Sequence, residues 1–365
     1  MPGSKTETAG EAATEQAGQA EPASPPRTAP AQVPSQRVPD QESAEHNAVA
    51  DARPVWDPRG WQLRNWDPRR RPSERTVRAA CFGALVANTL IVVTGGAVRL
   101  TNSGLGCPTW PECTAGSLVP VPSLGYHALI EFSNRMLTYA VCVAVGAAIV
   151  ATMRQRPRRP VLVKLSWVLF GGVALQAVIG GIAVRTDLSP AVVAVHFCIS
   201  IGMIAISWML WTRSREGDGP AAPLVRRELA WLSRLLVAAT GAVIVVGTMV
   251  TGTGPHSGSA DATKRLPFNP VDITQAHADL VFIVVGLTVA LWFALKAVDA
   301  RPEAVRAVRD MFAVLVIQAA IGYTQYFTGL PAWLVLFHMA GACLTWAAAW
   351  RVMTSLRERP HAAQV

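Results

Sequence analysis

The sequence predicts an all-α integral membrane protein. Eight transmembrane helices are expected as two tandem-duplicated four-helix bundles, behind a disordered N-terminal tail. Three observations predict this: apolar runs of spanning length, basic residues concentrated in alternate loops, and a repeated motif. Of 365 residues, 51% are hydrophobic and only 16% charged, where soluble proteins carry about 25% charged residues. A purely soluble enzyme is excluded.

Residues 1–76 are rich in Ala, Glu, Pro, Gln, Ser and Arg and hold no apolar run able to bury itself, the composition of a disordered tail. A secretory signal would place its apolar core within about the first 30 residues. Here the first such run begins near Val77, so the tail is expected to be retained, on the cytoplasmic side.

Eight apolar segments follow, near 77–100, 127–151, 161–184, 190–212, 229–251, 271–296, 304–327 and 331–352. Each approximates the roughly 20 residues that cross a hydrocarbon core of about 30 Å. In lipid a segment must satisfy its own backbone groups, so each is expected to be helical. Arg69, Arg70, Arg71, Arg75 and Arg78 lead into the first segment. Arg154, Arg156, Arg158 and Arg159 separate the second from the third, and Arg213, Arg215, Arg226 and Arg227 the fourth from the fifth. Lys296, Arg301, Arg306 and Arg309 mark the turn from the sixth to the seventh, and Arg357 and Arg359 follow the eighth. The loop after the seventh has no basic residue and that after the fifth only Lys264 and Arg265. Short cytoplasmic loops collect Lys and Arg, so both termini are expected inside the cell membrane. The net charge of +9 then reflects topology, and no nucleic-acid partner is expected.

Leu175-Gln176-Ala177-Val178-Ile179-Gly180 in the third segment returns as Ile317-Gln318-Ala319-Ala320-Ile321-Gly322 in the seventh. In each copy a His follows the Gln by twenty residues, at His196 and His338. The end of the first segment, Leu100-Thr101-Asn102-Ser103-Gly104, is echoed after the fifth by Val250-Thr251-Gly252-Thr253-Gly254. These matches predict a duplication of four helices. Four is even, so the two copies share one orientation and the repeat is parallel. The expected division is a tail over 1–76, bundles over 77–212 and 229–352, and a cytoplasmic tail over 353–365.

Ionisable residues inside spans are functional candidates by default. His196, His277 and His338 lie at matching depth in the fourth, sixth and eighth segments, about two turns from the outer face. Facing imidazoles on two helices of a bundle can take both axial positions of a haem iron. His277 precedes His338 by 61 residues, and a similar step back from His196 lands on Asn134, a poor haem ligand. The nearest alternative is His127, one or two turns outward. Spacing favours Asn134 as the duplicated position, and chemistry favours His127.

Glu131 lies within the second segment with Arg135 at i+4, the order that favours an ion pair. A carboxylate at that depth can also exchange protons with a bound reactant. Cys107 and Cys113, in the first outer loop, read as a disulfide in an oxidising compartment. Cys81, Cys142, Cys198 and Cys343 read as small core residues. His256 reads as a loop hydrogen-bonder rather than a ligand.

Together the stretch Gly95-Gly96-Ala97-Val98-Arg99-Leu100-Thr101-Asn102-Ser103-Gly104-Leu105-Gly106-Cys107-Pro108, the following Trp110-Pro111, the Glu131-Phe132-Ser133-Asn134-Arg135 motif and the Gln-to-His repeats resemble the heme A synthase family over about residues 77–352. The resemblance implies an eight-helix membrane enzyme that oxidises a ring methyl of heme O to a formyl group, giving heme A for cytochrome oxidase. It implies heme b held by His277 and His338 in the C-terminal half. It implies substrate haem on His196 in the N-terminal half, an essential Glu131, and a Cys107–Cys113 pair. Successive hydroxylations of one methyl, then loss of water from the diol, are the implied course.

Where the family commonly has Glu-x-x-His-Arg, this chain has Glu131-x-x-Asn134-Arg135, which leaves His127 and Asn134 as alternative partners of His196. A second outer-loop cysteine pair found in some members is missing. Implied partners are heme O, a heme O synthase, cytochrome oxidase assembly factors and the lipid bilayer. Two other readings use the same residues. A b-type cytochrome would transfer electrons without changing a haem, and a parallel-repeat transporter would use the histidines as proton relays and purify colourless.

Overall fold

The computed structural model describes residues 71–256, 258 and 264–360. Most of the expected tail, with His46 and His361, lies outside them. Eight long helices make up the described chain: α1 Glu74–Leu100, α2 Gly125–Arg154, α3 Pro160–Arg185, α4 Pro190–Arg215, α5 Arg227–Thr253, α6 Pro270–Ala297, α7 Pro302–Phe327 and α8 Ala332–Ser355.

Local chemistry sets the ends of these helices. α1 begins three residues before the expected Val77 because the Ser73 side chain accepts the Thr76 amide and Glu74 sits in the first turn. α3, α4, α6 and α7 open on Pro160, Pro190, Pro270 and Pro302, where a missing N–H has no helical partner to lose. The turns after α3 and α7 share an unusual backbone. Asp187 and Leu188 have φ of 53° and 56°, and Gly329 and Leu330 have 78° and 60°. A leucine in this left-handed region is uncommon. Each is held there by its amide, which donates to Ala183 O and Gln325 O respectively, both at 2.8 Å.

α1, α2, α3 and α4 pack in chain order, and α4 closes on α1; α5, α6, α7 and α8 pack in order, and α8 closes on α5. The two sets meet through α1 and α4 on α8 and through α4 on α5. One bond across this seam runs from the Trp346 indole N–H to Ile201 O at 2.9 Å. Large side chains such as Leu90, Val143, Phe282, Phe293 and Phe337 point outward and exposed, as lipid-facing residues do. This is a multi-pass membrane protein.

Seven of the helices are long and apolar enough to cross a membrane. Of the eight expected spans, α7 alone falls short of this measure of length and composition. Glu303, Arg306, Arg309 and Asp310 crowd its first turns and lower its hydropathy, yet it packs between α6 and α8 like the others.

The buried core favours one end of the bundle. In the first set it is built from Val77, Cys81, Val145, Leu162, Leu169 and Leu210, and in the second from Leu236, Leu291, Leu295, Val308, Met311 and Trp346. In α6 no described residue before Val284 is fully buried, and in α7 none after Leu315. The dense packing therefore stops short of the level of His277 and Gly322. Four-helix bundles commonly hold cofactors where side chains leave such room.

The densely packed end carries the arginines. Arg159, 8% exposed, donates to Asp218 at 2.8 Å, to Arg213 O at 2.8 Å and to Glu216 O at 2.7 Å. Arg213 pairs with Glu216 at 3.3 Å and Arg301 with Glu358 at 2.8 Å. Residues after α8 do not form a free tail over the described span. β1 (Ala222–Pro223) and β2 (Arg357–Glu358) pair antiparallel, Ala222 opposite Glu358, so the all-α expectation needs this small amendment. Arg159→Met should lower stability by about 2 kcal/mol, because it strips charged hydrogen bonds from three acceptors. An unchanged thermal unfolding midpoint in detergent would show that solvent replaces them.

Candidate functional site

His277 on α6 and His338 on α8 face each other, with ring centroids 6.5 Å apart and ring planes at 66°. A metal–imidazole bond is about 2.0–2.1 Å, so rings on opposite sides of one ion have centroids about 6 Å apart. The separation suits a single atom between them. The Nδ1 atom of His338 is buried without a hydrogen-bond partner, and the His277 ring reaches the backbone of Val243 on α5. Each ring lies against a glycine of a neighbouring helix: a β-carbon on Gly247 would stand 3.0 Å from His277 Cε1, and one on Gly322 would stand 3.2 Å from His338 Cε1. A side chain there would push the ring off its position.

The first set of helices repeats half of this arrangement. His196 on α4 has a buried, unpartnered Nδ1 and lies 3.5 Å from where a β-carbon on Gly180 of α3 would be. Gln176 Nε2 donates to His196 O at 3.1 Å and also to Ser200 Oγ; Gln318 Nε2 donates to His338 O at 3.0 Å. The repeated Gln thus grips the backbone beneath each repeated His, and the repeated Gly makes space for its ring. Spacing revealed both residues but not these roles, which depend on how α3 meets α4 and α7 meets α8.

Asn134 on α2 takes the remaining corner. Its Nδ2 lies 4.0 Å from the β-carbon position of Gly95 on α1, and its Oδ1 is buried without a partner. It lines an open groove of about 340 Å³ between α1 and α2, with Thr94, Val98 and Ser133. His127 is placed elsewhere. Its Nδ1 is 3.0 Å from Ser103 Oγ, its ring stacks by Tyr126, and its carbonyl lies directly beneath Gly106. Seven residues separate it from Asn134, about 10 Å along a helix axis.

Glu131 is 6% exposed and both its oxygens are engaged. Oε2 accepts the Cys107 amide at 2.7 Å, and Oε1 accepts Arg135 Nη2 at 2.6 Å and Nε at 3.1 Å. Arg135 also donates to Cys107 O, Thr109 O and Glu112 O. The expected ion pair is present, and it anchors the loop closed by the Cys107–Cys113 disulfide. That loop carries Trp110 onto Gly181 of α3, next to the glycine under His196, with Arg185 over the indole at 5.9 Å. Cys81 and Cys343 are buried and Cys142 and Cys198 half-buried, all four as free thiols.

One feature was not anticipated. Arg99, in the last turn of α1, donates to His256 O at 2.7 Å and to Thr251 O at 3.3 Å, linking the two helix sets. His256 Nε2 donates to Leu330 O at 2.9 Å, so it bonds between loops as expected of a non-ligand. Among the described residues no group of three or more His, Cys, Asp or Glu could hold a metal ion. The donors at this level are paired imidazoles, which suit an iron whose other positions a porphyrin fills.

Residues 78–350 match the model of a family described as cytochrome oxidase assembly protein, COX15-CtaA. The chain belongs to the COX15-CtaA family. Within it, the chain is 26% identical over 327 residues to the heme A synthase of Rhodopseudomonas palustris (strain HaA2), covering 74% of this chain and 87% of that protein. It is 25% identical over 263 residues to the heme A synthase of Symbiobacterium thermophilum, covering 68% and 85%. Against the heme A synthase of Geobacillus thermodenitrificans it is 29% identical over 150 residues, spanning about half (46%) of that protein. The span matched by the COX15-CtaA family includes every site residue described above.

Arg135→Ala should cost about 3 kcal/mol, since it leaves the Glu131 carboxylate buried without its cation. Adding Glu131→Gln should restore part of that loss in thermal unfolding. A double variant no more stable than Arg135→Ala would mean that Arg135 acts through its carbonyl bonds alone.

Proposed function

We propose that this chain oxidises a ring methyl of heme O to the formyl group of heme A, supplying cytochrome oxidase. The observation that carries the reading is the facing pair His277 and His338, at a separation suited to one iron, inside a chain related to heme A synthases over most of its length. The alternative of a cytochrome that leaves its haem unmodified draws no support from these relatives.

In this reading the C-terminal half, residues 229–352, holds heme b through His277 and His338. Bound there, heme b supplies one-electron transfer away from the site of oxidation. Gly247 and Gly322 give the rings space, and Gln318 holds the His338 backbone. The N-terminal half, residues 77–212, takes heme O, with His196 on its iron and Gln176 holding the helix beneath. Methyl to formyl is a four-electron oxidation that also releases protons and adds one oxygen. Glu131, buried one turn from Asn134, is the carboxylate assigned to accept such protons, and the disulfide loop it anchors is assigned to shield the substrate edge from water.

Duplication is the reading that best explains several shared features: the Gln-Gly-His geometry, the matching ring order of helices, and the paired left-handed turns at Asp187-Leu188 and Gly329-Leu330. The arginine-rich end is assigned to the cytoplasm, with both termini, in the cell membrane. A heme O synthase and oxidase assembly factors are the partners that such a substrate and product require.

The test is to supply heme O to the purified protein with an electron acceptor and identify extracted haems by mass. The expected product carries a formyl group; its absence with several acceptors would refute the assignment. Glu131→Gln should keep the bound haem spectrum while lowering turnover at least about 100-fold, the scale of a lost acid–base group. Full activity would return Glu131 to loop anchoring alone.

A further inference from the structure

Four corners carry the same pattern, and one differs in chemistry. His196, His277 and His338 each present a ring to a glycine of a neighbouring helix, and His196 and His338 keep a buried, unpartnered nitrogen. Asn134 occupies the corresponding place between α1 and α2, beside Gly95, with a buried, unpartnered amide oxygen. A neutral amide oxygen is a hard, weak donor that suits Mg or Ca better than haem iron. It is, however, a good hydrogen-bond acceptor whose capacity is unmet at a site where unmet capacity is costly.

The other polar groups of this region are committed. His127 is bonded to Ser103 and lies about 10 Å outward along α2. Both oxygens of Glu131 are taken by Cys107 and Arg135. Ser133 and Thr94 line the same open groove as Asn134, whose volume of about 340 Å³ exceeds the roughly 10–15 Å³ that one water needs on the same measure. The groove thus has room for a ligand beside the amide.

We propose that the first-half site binds its haem through one imidazole, His196, and that Asn134 faces the opposite side of the iron. There its amide hydrogen-bonds a small exchangeable ligand such as water. This rests on the function proposed above and deepens it, because it makes the substrate iron, unlike the iron between His277 and His338, open to an incoming small molecule. The two halves then differ at one side chain: an imidazole closes one site, and an amide leaves the other accessible.

The test uses the full chain purified with its second-half haem, loaded with iron protoporphyrin IX, reduced and exposed to carbon monoxide. About one porphyrin per chain should bind carbon monoxide, the other staying six-coordinate. Asn134→His should cut the carbon monoxide-reactive fraction at least tenfold, and His127→Ala should leave it unchanged. Asn134→Ala, which needs no new side chain to fit, should keep binding but shift the infrared C–O stretch. The proposal is overturned by a wild-type protein that holds two porphyrins and binds no carbon monoxide, by one that takes no second porphyrin, or by a gain of binding in His127→Ala. An unshifted stretch in Asn134→Ala overturns the amide contact. Heme O conversion, scored separately, reports on the enzyme assignment, so an active protein with a closed first site would sink only this inference.

Discussion

The structure depends on keeping imidazoles in position between helices where close packing has been given up. A ring in an open interior has few neighbours to fix its rotamer, so precision has to come from elsewhere. Here it comes from the backbone: a glutamine clamps the carbonyl of His196 and another that of His338, while Gly180, Gly247 and Gly322 leave room for only the ring. The dense cores lie toward the arginine-rich end and hold the helices rigid, as a functional site built on helices requires. The ion-pair clasp of Arg159, Arg213 and Asp218 closes that end.

Over the histidines the closure is different. A disulfide loop is tied down by one buried ion pair, Glu131 with Arg135, and lays Trp110 over α3. Arg99, His256 and Leu330 stitch the second set of loops to the first. A buried charge is expensive unless paired. Glu131 is paired and also hydrogen-bonded to a backbone amide, which ties the disulfide loop to α2.

Much of this was legible in the amino-acid sequence. Helix positions followed from apolar length, the Glu131–Arg135 pair from i,i+4 spacing, and the Cys107–Cys113 bond from its loop setting. Harder to read were features set by distant parts of the chain. Two-residue strands at Ala222–Pro223 and Arg357–Glu358 carry no periodicity. Arg159 and Arg213 read as topology markers yet are buried, because only the folded turn brings Asp218 and Glu216 to them. α7 read as an ordinary span, although its polar start sets it apart. The choice between His127 and Asn134 stayed open in the sequence because spacing and ligand chemistry disagreed. The Ser103 contact and the glycine at Gly95 distinguish the two in space.

The central claim is that His277 and His338 share one iron. Electron paramagnetic resonance of the oxidised, purified protein, with each imidazole replaced in turn by alanine, tests it directly. The account predicts a low-spin signal of two imidazole ligands that disappears in either variant. A protein that shows no haem signal, or that keeps the same low-spin signal after either replacement, would contradict it.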